Sequence, residues 1–558
     1  MFVDEEPAPL PDDPDVVRIH LGKVGWTNAR AFGDVWLGLQ LWKKLGLDEI
    51  VARHVPQGGE TIPPAAMVAI EVISRLCVGN GGETSEFALA EHGYRRTALE
   101  DLLGVPDEVV TKDRLYRTLD ALLSGKEKIE QDLKEQLGEL FSLNFDLLLC
   151  DLTSSFFEGL GEDNDLAKRG HSRDHRSDCK QVVLALVVTP DGFPLYHEVF
   201  AGNTNDAAAF PTIVETMEKR FGTARRVWVL DRGIASQANL AFLKERKQSF
   251  LVGTPRNQLT QFEAQLCTQD WQTIRPAVEV KTVQGDGQTY VLARSKQRRL
   301  KERAIRRRQL LGWHGDLKKL AARVSNGHLR NADKVMEQIG RLRERWPAAK
   351  FAQVEVSRDD HGSATRVTWR YDRARLRAAL GRDGAYLLLS DQTDWTAEQL
   401  WATYMQLTRA EEAFRAMKSN LLLRPMWHQL SGRVQAHVFV GVLAYALWKA
   451  LDHMLHRAAV VTHIRKPDPR RPDASPKDRP MSPGAALRLL HDVPIGDILL
   501  TTVEGRTLRL RRVARPNAEQ AALLAALELT LPERLCADRD VTDPSRFGLP
   551  TDRTPPKM

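Results

Sequence analysis

The sequence predicts an α/β protein in which helices cover a mixed β-sheet. Five short apolar runs bounded by turn residues have the length and composition of strands. Two of these runs are joined by the turn Pro190-Asp191-Gly192, which is typical of a hairpin. The predicted strands are 145–151, 181–189, 193–200, 226–231 and 248–253, and the predicted helices between them are 207–221 and 236–246. Three antiparallel strands followed by alternating helices and strands favour a mixed sheet with helices on its faces.

A chain of 558 residues is too long for a single core, and its patterns indicate several domains. Residues 28–140 show helical periodicity, with Thr111 as the N-cap of one predicted helix. The predicted divisions are a disordered acidic tail (1–16), a helical N-terminal domain (17–142), an α/β core (143–254 and 391–455), a basic mixed α/β insertion domain (255–390), and a linker with a small C-terminal region (456–558).

Three carboxylates stand at positions where a cation site could form. Asp151 and Asp231 each end an apolar run, and Glu411 lies on a predicted helix that begins near Thr396. Carboxylates near a core are costly unless they are paired or bind a cation. Three such oxygen donors suit Mg²⁺ or Mn²⁺, and two such ions can serve phosphoryl transfer. The alternative is that the aspartates merely form turns.

Helix geometry separates Glu411 from its neighbour Glu412. At about 100° per residue, one apolar stripe faces the core, formed by Leu407, Ala410, Phe414, Met417 and Leu421. Tyr404, Glu411 and Lys418 fall along the edge of this stripe, whereas Glu412 falls almost opposite it. We therefore expect Glu411 to reach the two aspartates and Glu412 to point to solvent.

The insertion carries a basic island. Residues 294–350 hold 18 Lys and Arg against 5 Asp and Glu, a net +13, which leaves −6 for the rest of a chain of net charge +7. Its predicted strands are 277–283, 289–292, 352–356 and 364–371, and its predicted helices are 296–312 and 328–345. Such an island favours a docking surface for a polyanion, and the alternative is a solvated helical hairpin. Trp313 and Trp346 could stack on bases, although helix packing is the commoner role.

Cysteine usage and charge indicate a reducing compartment. Cys77, Cys150, Cys179, Cys267 and Cys536 are scattered and form no CxxC pair, which argues against disulfides and a zinc site. The first 15 residues hold six acids and no base, unlike a signal peptide. The most apolar stretch, 438–448, is too short to span a bilayer. We expect a cytoplasmic protein with no membrane partner.

Several motifs in order along the chain resemble the DDE transposases of bacterial insertion sequences. The resemblance is to the branch with a Tyr-Arg-Glu-Lys signature, since Tyr404, Glu411 and Lys418 keep its seven-residue intervals. Leu407 replaces the arginine of that signature, and Arg415 is a candidate stand-in. The other matching segments are 170–176 (GHSRDHR), 202–206 (GNTND), 231–233 (DRG) and 433–439 (RVQAHVF).

This resemblance implies an RNase H-like catalytic core interrupted by an insertion domain. It implies that Asp151, Asp231 and Glu411 are catalytic and bind two Mg²⁺, for which Mn²⁺ could substitute. The implied reaction is cut-and-paste strand cleavage and transfer on double-stranded DNA, at terminal inverted repeats and a target, by at least a dimer. Tyr404, Lys418 and Arg415 would contact that DNA, together with the basic-island residues Arg298, Arg299, Arg306, Arg307 and Arg308. The helical N-terminal domain could be a further DNA-binding unit.

Two other functions stay open at this point. One is a domesticated DNA-binding protein without catalysis, which would be marked by loss of a carboxylate, whereas all three are present. The other is a host nuclease of the same fold, which would lack specificity for terminal repeats. Within 170–176 and just beyond, His171, Asp174, His175 and Asp178 have metal-ligand spacing, but a loop contacting DNA near the active site is the preferred interpretation.

Overall fold

The computed structural model describes residues 17–59, 62–77, 79, 85–285, 287–462 and 479–535, and the backbone of 539–540. The predicted acidic tail (1–16) and most of the predicted linker lie outside the described residues. The helices are α1 (Gly33–Lys44), α2 (Leu47–His54), α3 (Pro64–Cys77), α4 (Glu86–Ala88), α5 (Leu99–Leu103), α6 (Lys112–Phe141), α7 (Asp206–Phe221), α8 (Gln237–Glu245), α9 (Glu263–Cys267), α10 (Lys296–Ser325), α11 (Ala332–Arg345), α12 (Arg373–Gly381), α13 (Ala397–Met405), α14 (Thr408–Arg415), α15 (Ser431–Arg457), α16 (Pro483–His491) and α17 (Ala518–Ala526).

The strands form one large sheet and three smaller ones. They are β1 (Gly25–Ala31), β2 (Leu147–Phe156), β3 (Gln181–Val188), β4 (Pro194–Ala201), β5 (Val227–Leu230), β6 (Ser249–Gly253), β7 (Gln272–Arg275), β8 (Val278–Gly285), β9 (Gln288–Ser295), β10 (Ala352–Arg358), β11 (Ala364–Tyr371), β12 (Ala385–Ser390), β13 (Val461–Thr462), β14 (Arg479–Pro480), β15 (Pro494–Thr501), β16 (Thr507–Val513) and β17 (Arg539–Asp540).

The large sheet is mixed and has nine strands in the order β4-β3-β2-β5-β6-β12-β9-β8-β7. β5 runs parallel to both β2 and β6. The other neighbours in this sheet are antiparallel. The predicted α/β class with a mixed sheet is therefore confirmed, and the predicted hairpin at Pro190-Asp191-Gly192 joins β3 to β4.

Two apolar layers cover the two faces of the sheet, because strand side chains alternate. On one face Leu148, Cys150 and Leu152 pack with residues of α7 and α8. On the other face Leu149 packs in a larger core that includes α14 and α15. Asp151 shares the strand face of Leu149, so it points to the side of α14.

β2 is longer than the predicted strand, which was expected to end at Asp151. Leu152–Phe156 continue the strand because they pair with β3, up to Phe156 opposite Gln181. The parallel partner β5 pairs only as far as Cys150, opposite Leu230. Asp151 therefore lies inside β2, at the point where its parallel neighbour ends.

The helix α15 is the apolar core of the molecule. Its composition and 27-residue length would allow a membrane span, but 89% of its apolar window is buried inside the protein. It packs against α3, α6 and β4. The apolar stretch 438–448 lies within this buried helix.

The N-terminal helices share their core with the α/β part of the chain and with the C-terminal elements. One continuous apolar cluster includes residues of α1, α3, α6, α15 and α16. β1 pairs with β15, which joins the two ends of the described chain in one four-stranded sheet. The predicted boundary at 142 thus does not coincide with a break in packing, because the apolar faces of α3 and α6 are covered by α15. Thr111 caps α6 as predicted, accepting from Arg114 N at 3.3 Å.

The insertion is divided between the large sheet and a separate small core. The strands β7, β8, β9 and β12 extend the sheet beyond β6, which would otherwise be an open edge. The remaining elements α10, α11, β10 and β11 enclose their own apolar cluster. Trp313 is fully buried in this cluster, and Trp346 packs against Gly312 and donates from Nε1 to Asp316 at 2.9 Å. Both tryptophans therefore have the packing role.

A buried ion network ties α6 to the edge of the large sheet. Glu130 of α6 accepts from His197 Nδ1 at 2.7 Å and from Arg220 at 2.6 Å, and Lys126 Nζ lies 3.2 Å from it. The positive charges and hydrogen bonds of these partners outweigh burial and lower the pKa of Glu130 to about 2. This carboxylate is fully satisfied by side chains of the protein.

Candidate active site

The two aspartates lie side by side because their strands are parallel. The register pairs Cys150 with Leu230, so the next residues, Asp151 and Asp231, stand at the same level of neighbouring strands. Asp151 is half-buried and Asp231 is exposed. In both strands the aspartate directly follows the last residue of the parallel pairing, Cys150 in β2 and Leu230 in β5. The two aspartates are therefore neighbours across the sheet.

The predicted glutamate helix is interrupted. Thr396 and Gln399 form a capping box at the start of α13, as expected for a helix beginning near Thr396. α13 ends at Met405, α14 begins at Thr408, and a π-helical turn follows at Ala416–Asn420. The predicted apolar stripe is nevertheless buried, with Leu407, Ala410, Phe414, Met417 and Leu421 all less than 10% exposed. These side chains stay buried although the helix is interrupted, because they pack against the sheet.

Two contacts fix this broken helix against the sheet, one to β6 and one to β2. In the first half of this broken helix, on the last turn of α13, the hydroxyl end of Tyr404 packs so closely against Gly253 that a Cβ atom there would clash with the tyrosine oxygen. At its end Lys418 Nζ donates to Thr153 Oγ1 of β2 at 2.7 Å. Glu411 is seven residues from each contact. The two contacts therefore position Glu411 over the strands that carry Asp151 and Asp231.

The three carboxylates interact electrostatically. Burial, followed by the like charges of Asp231 and Glu411, raises the pKa of Asp151 to about 7, against the opposing effects of the Leu152 amide and Arg173. Burial and the same acidic neighbours also raise the pKa of Tyr404. Glu412 instead pairs with Arg409 at 3.0 Å. Of the two adjacent glutamates, Glu411 is thus the one coupled to the aspartates.

These carboxylates have the character of cation ligands. Within the described residues, no salt bridge involves Asp151, Asp231 or Glu411, and Asp151 Oδ1 accepts only from the adjacent Leu152 amide at 2.8 Å. A divalent cation would relieve the repulsion that raises the pKa of Asp151. The oxygen atoms of this triad are not all within 4.8 Å of one another. The described groups that meet that spacing are Glu86, His428 and His437, and Glu100, Asp107 and Glu108.

Lys418 has protein partners that the sequence did not indicate. Its Nζ donates to Asp174 Oδ1 at 2.9 Å as well as to Thr153, and Arg424 pairs with the same carboxylate. Burial lowers the pKa of Lys418, while Asp174 acts in the opposite direction. Asp174 belongs to the predicted DNA-contacting loop at 170–176. In this structure that loop is therefore joined to the end of the glutamate helix.

The sequence alone did not single out Gly253, Thr153 or Arg424. Gly253 ends a predicted strand. A glycine at that position can indicate that another group packs closely against the backbone, and this was the local signal for the Tyr404 contact. Thr153 was hidden because the strand was expected to stop at Asp151. Arg424 lies outside any periodic apolar pattern, so its role was not predictable from the sequence. The structure shows it through the ion pair with Asp174. Arg415 is exposed, on the last turn of α14.

A basic groove leads away from Asp231. A cleft of about 510 Å³ is lined by Asp231, Arg232, Tyr404, Arg256 and Arg298, among others. A second cleft of about 990 Å³ shares Arg256 and Arg298 with it and continues along α10. The cationic side chains of this second cleft are Arg256, Arg298, Lys301, Arg306, Lys350 and Arg382.

The five arginines predicted to contact DNA differ in their surroundings. Arg306 forms a two-pronged ion pair with the buried Asp383, including a bond of 2.7 Å from its Nη2 to Oδ1. Arg299 is half-buried, and burial followed by the charges of Arg303 and Arg294 lowers its pKa. Arg298 is exposed and pairs with Glu302 at 3.1 Å. Arg307 and Arg308 are exposed. Arg306 is thus tied to the fold, whereas the exposed arginines remain accessible.

The chain belongs to a transposase family. The family model described as "Transposase DDE domain" matches residues 152–447, which include Asp231 and Glu411 and begin one residue after Asp151. No curated protein sequence matches the chain. A cryo-EM structure of a piggyBac transposase synaptic complex with hairpin DNA is 10% identical, covering 84% of this chain and 82% of that chain, with a TM-score of 0.35. At this TM-score the two folds cannot be equated.

Proposed function

We propose that this transposase catalyses metal-dependent DNA strand cleavage and strand transfer at the inverted-repeat ends of an insertion sequence, using Asp151, Asp231 and Glu411. The observation that carries the proposal is the helix held between the Tyr404–Gly253 and Lys418–Thr153 contacts. These contacts support a position of Glu411 over the neighbouring parallel strands that carry Asp151 and Asp231. Burial, followed by the charges of Asp231 and Glu411, raises the pKa of Asp151, and none of the three carboxylates has a salt bridge within the described residues.

We further propose that the first five strands are an RNase H-like core. The observed order β4-β3-β2-β5-β6, with three antiparallel strands followed by two parallel to β2, supports this assignment. The helices α7 and α8 cover one face, and α14 and α15 cover the other. The assignment is also supported by Asp151 and Asp231, which stand at the same level of two neighbouring strands.

In this mechanism the carboxylates would hold two Mg²⁺ ions, or Mn²⁺ in their place. The ions supply activation of the attacking oxygen and stabilisation of the leaving oxygen. Attack by water on the phosphodiester at the element end breaks the bond to its 3′ oxygen and frees a 3′-OH, which then attacks target DNA. The protein contributes positioning, with Arg232 and Arg256 beside Asp231 to neutralise phosphate charge.

The basic groove supplies a path for double-stranded DNA. Its cationic side chains extend from Asp231 along α10, and Arg307 and Arg308 add exposed positive charge on the same helix. A phosphate entering near Lys418 would compete with Asp174 for its ammonium group. Joining two element ends requires at least two active sites, so we propose a dimer on DNA. The scattered cysteines favour a reducing, cytoplasmic location for this complex.

The proposal is tested with purified Asp151→Asn and Asp231→Asn proteins and labelled element-end DNA. We expect Mg²⁺-dependent cleavage to be lost while end binding and folding persist, because these groups serve a cation rather than the core. Cleavage by either mutant at the wild-type rate would overturn the assignment. Equal cleavage of element ends and unrelated DNA by the wild-type protein would instead favour a host nuclease.

A further inference from the structure

A second group of ligand-type side chains is buried outside the acidic triad. Glu86 is the first residue of α4, His428 precedes α15, and His437 lies on α15. Their exposed fractions are 5%, 7% and 3%. Glu86 Oε1 lies 3.4 Å from both His428 Nε2 and His437 Nδ1, and the two ring nitrogens are 3.2 Å apart. Three donor atoms thus form a nearly equilateral triangle.

The dimensions of this triangle match a face of a zinc coordination tetrahedron. Zn²⁺ binds His nitrogen and carboxylate oxygen at about 2.0–2.1 Å, so tetrahedral ligand atoms are about 3.3–3.4 Å apart. The exposed His456 ring lies 3.4 Å from Asp452, but three hydrogen-bonded imidazole–carboxylate pairs elsewhere in the described chain are closer. They measure 2.7 Å for His197 and Glu130, 2.8 Å for His54 and Asp132, and 2.7 Å for His491 and Asp34. The spacing at Glu86 is therefore wider than in these three close pairs.

The surroundings of the triangle favour metal-binding histidines. His437 Nε2 lies 3.4 Å from the Leu423 carbonyl, a contact that places the ring proton on Nε2 and leaves the Nδ1 lone pair for a ligand bond. A small cavity of about 10 Å³ beside Glu86 is bordered by Glu71 and Ser74. Glu71 Oε1 and Ser74 Oγ are buried and make no hydrogen bond within the described part of the chain. Both groups can hydrogen-bond a water beside Glu86 in this cavity, which neither histidine lines.

Arg75 is the one unfavourable neighbour, because its guanidinium lies 3.4 Å from His437 Nδ1. Its Nη1 also donates to the Leu422 carbonyl at 3.1 Å, a contact that can hold the guanidinium toward this loop. Glu86 and Glu71 both lie near this cation, but burial, followed by the charge of Glu86, raises the pKa of Glu71. The negative charge that would offset a divalent cation beside the arginine therefore comes from Glu86.

We infer that Glu86, His428 and His437 form a structural Zn²⁺ site, with water as the fourth ligand. Two nitrogen donors and one oxygen donor suit Zn²⁺ rather than the Mg²⁺ expected at the acidic triad. The site joins α4 and α15 to the segment 421–430, which carries Arg424 and its ion pair with Asp174. Zinc would thereby fix segment 421–430, which follows the glutamate helix, against α4 and α15.

The first experiment measures metal in the full-length protein, purified without a metal-binding tag from zinc-supplemented medium. We expect about one zinc per chain. Removal of zinc with a chelator should lower the melting temperature, and Co²⁺ added to the stripped protein should give the visible absorption of a tetrahedral site. X-ray absorption at the zinc edge should show two imidazoles among the ligands. A protein that holds no zinc and gives no tetrahedral Co²⁺ spectrum would overturn the inference.

The variant Glu86→Gln separates a metal site from a hydrogen-bonded cluster. Glutamine keeps the size of the side chain and can still hydrogen-bond imidazole, but it loses the anionic oxygen. We expect Co²⁺ binding to weaken by more than about 100-fold, since loss of even an outer partner costs about 10–100-fold. His456→Gln is the matched control, because His456 lies on the same helix α15 and is exposed. Zinc retained equally in both variants would show an adventitious ion only. If Glu86→Gln fails to fold, the wild-type Co²⁺ spectrum decides.

Discussion

Glu130 and Asp151 are carboxylates beside the same sheet, yet their surroundings shift their pKa values in opposite directions. Glu130 contacts Lys126, His197 and Arg220, which lower its pKa to about 2 despite burial. Asp151 has acidic neighbours instead, and burial together with their charges raises its pKa to about 7. The protein supplies the counter-charge at Glu130, whereas at Asp151 the nearby Arg173 offsets burial and the acidic neighbours only in part.

This contrast distinguishes a structural carboxylate from a candidate cation ligand. A buried ion pair is lost at a high cost when one partner is removed, because the remaining charge is uncompensated. An uncompensated cluster behaves differently, since removing one of its charges relieves repulsion. Substitutions in the two regions should therefore have opposite effects on folding and on catalysis.

The largest expected effect is on catalysis at Glu411. Glu411→Gln should slow Mg²⁺-dependent strand cleavage by at least about 10³-fold, because the variant would lose a proposed ligand of the charge-stabilising cations. Glu412→Gln is the matched control and should stay close to wild type, since Glu412 pairs with Arg409 on the exposed side. A single-turnover cleavage assay measures both. The reverse result would reassign the helix register, including the roles of Tyr404 and Lys418.

Next in size is the loss of stability at Glu130. Glu130→Gln should destabilise the fold by about 3–5 kcal/mol, because Lys126 and Arg220 would be left near the interior without their carboxylate. Thermal unfolding with and without Mg²⁺ measures the change, and Mg²⁺ should not restore the loss. A melting temperature equal to that of the wild type would remove the contrast between the two regions.

The pH dependence of stability should sharpen the contrast. Asp151 has a folded pKa of about 7, against about 3.9 when unfolded. The folded state therefore holds an extra proton between these values, and its stability falls as pH rises toward 7. In chelator, Asp151→Asn should be more stable than wild type at pH 8 by about 1–3 kcal/mol, with little difference at pH 4.

Glu130 should show the opposite pH dependence, because its lowered pKa gives stability that is present above about pH 4.3 and lost as pH falls toward 2. Addition of Mg²⁺ should stabilise the wild type at pH 8 and leave Asp151→Asn less affected. Denaturant titrations across this pH range measure both trends. Equal pH profiles for wild type and Asp151→Asn would show that Asp151 carries no uncompensated charge.

The smallest effect concerns arginines in the basic groove. Arg307→Gln combined with Arg308→Gln should reduce the slope of log K against log salt by about one unit for each phosphate that the variant no longer neutralises. Arg306→Gln should mainly lower the melting temperature, because buried Asp383 would be left without its partner. Binding titrations at several salt concentrations separate the two cases. An unchanged slope in the double variant would identify this face of α10 as solvated.

Much of the local structure could be predicted from the sequence. The expected strands at 181–189, 193–200 and 248–253 correspond to β3, β4 and β6, and the apolar stripe from Leu407 to Leu421 is buried. Thr111 and Thr396 mark the starts of α6 and α13. These features depend on apolar periodicity and on capping residues, which can be read from the few residues that form each helix or strand.

Only the tertiary structure determined which strands pair and which side chains form hydrogen bonds or ion pairs with each other. Asp151 lies within β2 because β3 pairs with the residues that follow it, and Lys418 meets Asp174 from a loop 244 positions earlier. Arg306 resembles its neighbours in sequence, but the chain folds it onto Asp383. Such choices depend on contacts between distant segments, which local periodicity does not encode. The sequence by itself determined the elements and the candidate carboxylates, and packing of the sheet determined which charges remain without a counter-ion.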